Sequence, residues 1–222
     1  MSKQTEYWAG ENGDKYHKKH QNSAALGTME ANCLLFERTL APLLPDEREN
    51  LDVLELGANR AQNAFALREA LPGHRYYGVE INKAAADEAE KAGGSVKAIL
   101  RKDVTDYQGI KLRLFKEHGG SQFDLVLTKG LLIHIKPDML RSVYRTIYEQ
   151  SRRWILLCEY YAPRIEEIPY KGRPNLLWRG PHAEHMMDTY PRLMLKDYGF
   201  VSRLAGPAAQ DDITWWLLEK PQ

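Results

Sequence analysis

The sequence predicts an α/β protein with a mostly parallel sheet and helices on both of its faces. Five short apolar segments carry this prediction, because each is too continuously hydrophobic to alternate between a buried and a solvated side. The stretches between them are long enough for crossover helices, which parallel neighbours require. The length of 222 residues, with 43% hydrophobic and 27% charged side chains, suits one compact domain.

The predicted elements follow in order along the chain. A polar leader dotted with aromatic residues precedes an amphipathic helix from Glu30 to Leu44, which Pro45 ends. Helices are also predicted in the crossovers Gln62 to Leu71, Lys83 to Ala92 and Pro137 to Ser151. The five predicted strands are Asp52 to Leu56, Tyr76 to Glu80, Val96 to Leu100, Phe123 to Thr128 and Trp154 to Cys158.

The last third of the chain contains five prolines within a stretch rich in Tyr, Trp and Arg. We interpret Ile165 to Pro181 as an ordered excursion over the sheet edge. Two apolar segments, Gly199 to Arg203 and Ile213 to Glu219, flank a connection that contains Gly and Pro. They predict a hairpin that completes a seven-stranded sheet.

Composition excludes several classes of protein. Lys and Arg number 31 against 30 Asp and Glu, so a formal net charge of +1 disfavours a dedicated nucleic-acid binder. Every apolar stretch is far shorter than the roughly 20 residues of a membrane span. The first residues lack an apolar signal core, so we expect a cytoplasmic location. Cys33 and Cys158 lie among apolar neighbours and are interpreted as buried thiols, and no metal site is expected.

Residues that directly follow the strands are the candidates for ligand binding, because ligands of open parallel sheets bind beyond the carboxyl ends of the strands. Gly57 allows a tight turn after the first strand, and Ala58 allows close approach of a ligand. Glu80 ends the second strand 23 residues after Gly57, near the offset of an acid that binds ribose hydroxyls. The later glycines of a dinucleotide loop are missing, which indicates a nucleoside without a phosphate cradle.

These residues resemble the Rossmann-like S-adenosylmethionine (SAM) dependent methyltransferases, in which Val53-Leu54-Glu55-Leu56-Gly57 corresponds to the glycine motif. The resemblance spans about Leu51 to Trp216. More narrowly, the chain is similar to the pseudaminic acid biosynthesis-associated methylases. The matching segments are Tyr7 to Glu11, Glu55 to Asn59, Gly78 to Asn82, Thr128 to Gly130, Ile133 to Ile135, Glu159 to Tyr161, Glu167 to Tyr170, Asp197 to Val201 and Gln210 to Asp212.

The resemblance implies a Rossmann-like SAM methyltransferase fold with a reversed last strand, here Ile213 to Glu219. It implies a single domain over residues 1–222, with an N-terminal lid and helix (1–45), a SAM-binding core (51–160), a substrate-side excursion (161–196) and a closing hairpin (197–222). Gly57, Ala58 and Asn59 would hold the methionyl part of SAM, and Glu80 would bind its ribose. The other expected SAM-binding residues are Tyr7, Trp8, Tyr16, Glu55, Ile81, Asp103, Val104, Lys129 and Gly130, with Asp103 and Val104 at the adenine.

Two segments depart from the pattern of the group. Arg60-Ala61-Gln62 stands where we expect an apolar residue and then glycine, and Arg179-Gly180-Pro181-His182 replaces a more acidic segment. Both are expected near the pocket, so the acceptor or the reaction type can differ from the group's label.

Aromatic residues form the second informative set, since they cluster in the leader and in the excursion. Their ring faces attract a sulfonium cation, although packing of the core and lid explains any one of them equally well. The set comprises Tyr7, Trp8, Tyr16, Tyr160, Tyr161, Tyr170 and Trp178.

The leading hypothesis is methyl transfer from SAM to a small polar metabolite, in which the enzyme positions the reactants and excludes water. His134, Tyr160 and Tyr161 are the candidate catalytic residues, and a base is needed only for a hydroxyl acceptor. The alternative for His134 is a loop histidine bonded to the backbone. Arg60, Lys129 or Arg179 would orient an anionic acceptor, and Tyr170 and Trp178 complete the expected substrate-binding set.

A second hypothesis makes SAM itself the substrate, through cyclisation to azetidine-2-carboxylate and methylthioadenosine. Azetidine-2-carboxylate synthases of methyltransferase fold are similar to this chain in size and in the aromatic-rich leader and excursion. The altered Arg60-Ala61-Gln62 loop motivates this reading. A third, less favoured reading is a SAM-binding partner without catalytic activity. The expected partner is a small molecule, without nucleic acid or membrane, and the oligomeric state is left open.

Overall fold

The computed structural model describes residues 3–19, 24–43, 47–119, 122–170 and 172–221. Nine strands are assigned within these residues, and seven of them form the central sheet. The strands are β1 (Asp52–Leu56), β2 (Arg75–Glu80), β3 (Val96–Arg101), β4 (Phe123–Lys129), β5 (Ser151–Glu159), β6 (Glu166–Tyr170), β7 (Arg173–Arg179), β8 (Met194–Val201) and β9 (Ile213–Glu219).

The central sheet has the order β3-β2-β1-β4-β5-β9-β8. The first five strands in this row are parallel, whereas β9 is antiparallel to both β5 and β8. The predicted seven-stranded sheet with a reversed last strand is therefore confirmed. Because the chain winds outward from β1 to β3 and then returns to β4, the carboxyl ends of β1 and β4 form the switch point where such sheets bind ligands.

Helices cover both faces of the sheet and divide the apolar core into two layers. One layer packs α3, α4 and α5 against the sheet, and the other packs α6, α7 and α8. Since both faces are covered, the central strands are apolar on both sides. The helices are α1 (Lys3–Ala9), α2 (Glu11–Lys19), α3 (Ala24–Leu40), α4 (Gln62–Ala66), α5 (Lys83–Lys91), α6 (Tyr107–His118), α7 (Leu140–Gln150) and α8 (His182–Thr189).

Several bounds differ from those predicted. Helix α3 begins at Ala24 and ends at Leu40, so the prediction of Glu30 to Leu44 was displaced toward the carboxyl end. The apolar periodicity marks only the part that packs on the sheet, and the predicted end at Leu44 lies outside the described residues. Helix α6 was not predicted. Strand β8 begins at Met194 instead of Gly199, and its exposed side chains give no alternation to read.

The proline-rich excursion is a separate two-stranded hairpin of β6 and β7, followed by α8. Strand β7 packs against the short 3-10 helix Leu132–His134, which follows β4. The excursion therefore lies over the carboxyl ends of the strands and not along an outer edge of the sheet.

A buried hydrogen bond of 2.8 Å joins Tyr144 of α7 to Nδ1 of His182 at the start of α8. His182 is fully buried, and this burial lowers its pKa to about 3, with a further small effect from His185. An unfolded histidine takes up a proton near pH 6.5, whereas the folded His182 does not. Stability is therefore lost as the pH falls below about 6.5.

We predict that His182→Gln reduces this sensitivity to acid. Between pH 7 and pH 5, the free energy of unfolding of the wild type should fall by about 2 kcal/mol more than that of the variant. Denaturant unfolding at pH 7, 6 and 5 measures the difference. Glu184→Gln, at an exposed position of the same helix, serves as the control. Equal pH slopes for the wild type and His182→Gln would contradict the prediction.

Candidate functional site

A cavity of about 830 Å³ opens at the switch point of the sheet. Its floor consists of the loops that follow β1, β2, β3 and β4. Its cover comes from α1 and α2, from α3, and from the loop between β8 and β9. Clefts of this size bury most of a small ligand, so this is the candidate functional site.

The turn after β1 is fixed by the backbone of the neighbouring strand β2. The N–H groups of Gly57 and Ala58 both donate to the carbonyl of Val79, at 2.8 and 3.0 Å. Gly57 has a φ of +76°, and a Cβ atom there would lie 2.8 Å from Cδ1 of Leu131. Glycine suits this position best, because any other side chain would be strained by the left-handed backbone and would displace Leu131.

Glu80, at the end of β2, ties this turn to the next loop. Its two carboxylate oxygens accept the backbone N–H groups of Asn59, at 2.8 Å, and of Asn82, at 2.7 Å. The side chain of Asn82 in turn caps α5 through the N–H of Ala85. The carboxylate is therefore held in one orientation beside the cavity.

Glu55 lies at the base of the cavity and is almost completely buried. Burial raises its pKa to about 7, although the hydrogen bonds from Tyr76 and Asn63 and the nearby charge of Lys129 oppose this shift. The amide of Asn63 donates at 2.7 Å, and the hydroxyl of Tyr76 also donates. Glu55 is therefore a buried carboxyl group with a pKa near neutral pH, and the hydrogen bonds from Tyr76 and Asn63 hold it in place.

Asp103 follows β3 and joins the cavity floor to the N-terminal helix. Its Oδ1 accepts the backbone N–H and the hydroxyl of Thr105, at 2.9 and 2.7 Å. Its Oδ2 accepts the hydroxyl of Thr5 in α1, at 2.7 Å. Val104, next in the chain, is buried and lines the same part of the cavity.

His134 reaches the cavity from the turn after β4. The carboxylate of Glu159 accepts the backbone N–H groups of Leu131 and Leu132, each at 3.1 Å, and so holds this turn. Burial lowers the pKa of His134 to about 4, while a hydrogen bond to the backbone of Leu176 in β7 opposes the shift. His134 is therefore neutral over the physiological pH range, and its ring is hydrogen-bonded to strand β7 of the hairpin.

The two N-terminal helices form a lid over the cavity. The ring of Trp8 lies 4.2 Å from that of His134 and meets Tyr16 edge-on at 5.6 Å, between ring centroids. A hydrogen bond of 2.8 Å from Asn82 to Asp14 fastens α2 to the loop after β2. Within the described residues, the buried indole Nε1 of Trp8 has no hydrogen-bond partner.

The structure brings most of the expected SAM-binding residues and one candidate catalytic residue to this cavity. The lining includes Trp8, Tyr16, Glu55, Gly57, Ala58, Asn59, Glu80, Ile81, Asp103, Val104, Lys129, Gly130 and His134.

Three other predicted residues lie close behind the lining. Tyr7 packs edge-on against Trp8 at 5.2 Å. The hydroxyl of Tyr160 lies 3.4 Å from the carboxylate of Asp211, which itself lines the cavity. The ring of Tyr170 lies 6.5 Å from that of His134.

Four predicted residues point elsewhere. Arg60 forms an ion pair of 3.0 Å with Glu88 of α5, and Arg179 forms one of 2.7 Å with Glu166 across the hairpin. Trp178 is buried without lining the cavity. Tyr161 is 42% exposed and packs near Trp216.

The sequence interpretation missed several lining residues. Asn82 and Thr105 follow strand ends but were assigned no role, and the others come from segments without a strand-end signal. Asn82 and Asp211 stood in segments used for the family resemblance but had no assigned role. Asn32 was detectable only as a single polar residue in an apolar helix. The residues concerned are Thr5, Asn32, Asn63, Asn82, Thr105, Gln210 and Asp211.

Within the described residues, no three or more His, Cys, Asp or Glu side chains are grouped so that they could hold a metal ion. No helix in the described ranges is long and apolar enough to cross a bilayer.

Comparison with known proteins links residues 54–151 to a family described as a methyltransferase domain. None of the curated proteins gives a significant sequence match. Among solved structures, magnesium protoporphyrin IX methyltransferase from Synechocystis PCC 6803, with bound SAM, is similar with a TM-score of 0.68 at 13% identity. The match covers 100% of this chain and 99% of that chain.

Two other solved structures show the same likeness. A Burkholderia thailandensis 1,6-didemethyltoxoflavin-N1-methyltransferase, with its substrate and S-adenosylhomocysteine (SAH), gives a TM-score of 0.64 at 18% identity and covers 94% of this chain and 87% of that one. A plantazolicin methyltransferase with SAH gives 0.60 at 11% identity, over 99% and 94% of the two chains. At such low identities the likeness establishes the fold. Together with the domain match over residues 54–151, it supports an enzyme with the methyltransferase fold.

Proposed function

We propose that this protein transfers the methyl group of SAM to a small polar acceptor. The observation that carries the proposal is the fixed Glu80 carboxylate beside the tight turn at Gly57, at the switch point of the sheet. This arrangement suits a nucleoside with an amino-acid tail, because Glu80 would face the ribose hydroxyls and the turn at Gly57 would leave room for the tail. The known structures of this fold with SAM or SAH support the same cofactor.

Different residues of the cavity would contact the ribose, the adenine and the methionyl end of SAM. Each oxygen of Glu80 has two lone pairs, so it can accept a ribose hydroxyl in addition to a backbone N–H. The Oδ2 of Asp103 can accept the adenine amino group beside the hydroxyl of Thr5. Val104 offers an apolar surface to the adenine ring, and Gly57 to Asn59 with Lys129 surround the methionyl end.

SAM supplies a methyl group made electrophilic by the sulfonium. The acceptor attacks the methyl carbon, the bond from carbon to sulfur breaks, and its electron pair stays on sulfur to give SAH. The protein contributes positioning and the exclusion of water by the lid. His134 is neutral above about pH 4, so its imidazole can accept a hydrogen bond from a hydroxyl acceptor, but its low pKa makes it a weak general base.

Cyclisation of SAM is the second candidate, and the ordered lid is the observation that favours it. Trp8 and Tyr16 close over the cavity with His134 beneath them. In this reaction the neutral amino nitrogen attacks the γ-carbon, the bond from that carbon to sulfur breaks, and the nitrogen gives its proton to water. The cavity continues past the loop after β1 to α3 and the β8–β9 loop, which leaves room for an acceptor and favours methyl transfer.

We predict that Glu80→Gln weakens SAM binding by about ten- to a hundredfold. The amide has one acceptor oxygen in place of two, so its NH₂ group faces a backbone N–H of Asn59 or Asn82. Isothermal titration calorimetry measures the affinity. Glu90→Gln, at an exposed position of α5, should bind SAM as the wild type does. Equal affinity of Glu80→Gln and the wild type would contradict the assignment of the ribose site.

The two reactions differ in their products when SAM is the sole small molecule present. Methyl transfer predicts that SAM stays intact until an acceptor is added, after which SAH forms. Mass spectrometry of the mixture distinguishes the outcomes. Methylthioadenosine with a four-carbon amino acid, formed faster than without enzyme, would exclude the methyl-transfer proposal. Tight SAM binding without any product from metabolite extracts would instead support a non-catalytic SAM-binding protein.

A further inference from the structure

Three side-chain amides form one wall of the cavity, two of them buried and that of Asn63 half-buried. Asn32 comes from α3, Asn63 from α4 and Gln210 from the β8–β9 loop. Gln210 donates to Asn32 at 3.3 Å, Asn32 donates to Asn63 at 3.1 Å, and Asn63 donates to Glu55 at 2.7 Å. Asn32 is 3% and Gln210 is 8% exposed. The chain of bonds therefore fixes three separate segments to one another.

The direction of this chain follows from its end at Glu55. When Glu55 is ionised, both of its oxygens accept hydrogen bonds, and Asn63 turns its NH₂ group toward the carboxylate. The carbonyl of Asn63 then faces Asn32, and the carbonyl of Asn32 faces Gln210. The last group in the series is Oε1 of Gln210, which accepts no side-chain or backbone hydrogen bond from the described residues and belongs to a residue that lines the cavity.

The surroundings of Gln210 add acceptor atoms rather than cations. Asp211, the next residue, lines the cavity with its carboxylate. Of the three cations that the sequence suggested for an anionic acceptor, Arg60 and Arg179 form ion pairs outside the cavity. The third, Lys129, lines the cavity close enough to Glu55 to lower its pKa, and it is the cation proposed for the methionyl end of SAM. Arg203 at the rim is exposed and lies 3.7 Å from Asp212. An anionic ligand would meet the Asp211 charge without a dedicated cation at this wall.

We infer that the methyl acceptor is a neutral or cationic metabolite whose hydroxyl or ammonium group donates hydrogen bonds to Gln210 Oε1 and Asp211. The inference rests on the proposed methyl transfer and narrows its substrate class. Carboxylates and phosphates are disfavoured at this wall, because their oxygens accept hydrogen bonds and would face Gln210 Oε1 and the Asp211 carboxylate, which also accept them. Preorganisation by the amide chain makes the wall selective, since the amide of Gln210 cannot turn over without breaking its bond to Asn32.

Two matched pools of probes test this inference. One contains ethanolamine, glycerol and glucosamine, and the other contains glycolate, glycerol 3-phosphate and glucuronate. Saturation-transfer NMR on the SAH-bound enzyme reports binding, and SAH formation from SAM reports transfer. We expect binding and transfer from the first pool. Preferred binding of the second pool, or binding of neither, would overturn the inference.

Two variants sharpen the test. Gln210→Leu should weaken the response to the first pool by about tenfold while the SAM affinity stays within about twofold. Arg203→Gln should change the response by less than about twofold. An unchanged first-pool response of Gln210→Leu, together with second-pool binding that Arg203→Gln removes, would show that the wall binds an anionic ligand and would overturn the inference. Selective binding of the first pool without formation of SAH would support the inferred ligand class and count against methyl transfer. Failure of the inference is thus distinguishable from failure of the proposed function.

Discussion

The turn between β1 and α4 is the constraint on which the rest of the site depends. Two N–H groups of this turn converge on the carbonyl of Val79, and a third, from Asn59, reaches Glu80. The turn is thereby locked to β2 in a conformation that Gly57 adopts without strain. Gly78 in β2 permits the contact, because a Cβ atom there would lie 2.7 Å from the Cβ of Ala58. These hydrogen bonds hold the loops after β1 and β2 together, and the two loops form the centre of the cavity floor.

The cavity floor owes its rigidity to buried carboxylates with backbone or side-chain donors. Burial alone would make Glu55 and Glu159 costly, and it raises the pKa of each to about 7. Each carboxylate offsets this cost through several hydrogen bonds, and each fixes a segment that faces the ligand. Glu55 orders the amide chain, whereas Glu159 holds the turn that carries His134.

The lid is attached in a different manner. Its polar attachments, Thr5 to Asp103 and Asp14 to Asn82, are only partly buried, and each is worth about 1 kcal/mol. They bind to the same loops that are proposed to hold the adenine and the ribose. Attachments of this strength allow a lid to open for a ligand and to close over it, so closure and SAM binding would be coupled through Asp103.

Local sequence determined the sheet and most of its floor. Apolar strands covered on both sides, followed by Gly57, Glu80 and Asp103, are read directly from the chain, because parallel strands bring their carboxyl ends to one edge. Only the tertiary structure decided which distant residues join them. Asn32, Asn63 and Gln210 meet through packing of α3 and the β8–β9 loop, and sequence spacing does not encode such contacts. For the same reason Arg60 and Arg179 were assigned to a ligand, although acids on neighbouring elements, Glu88 and Glu166, hold them outside the cavity.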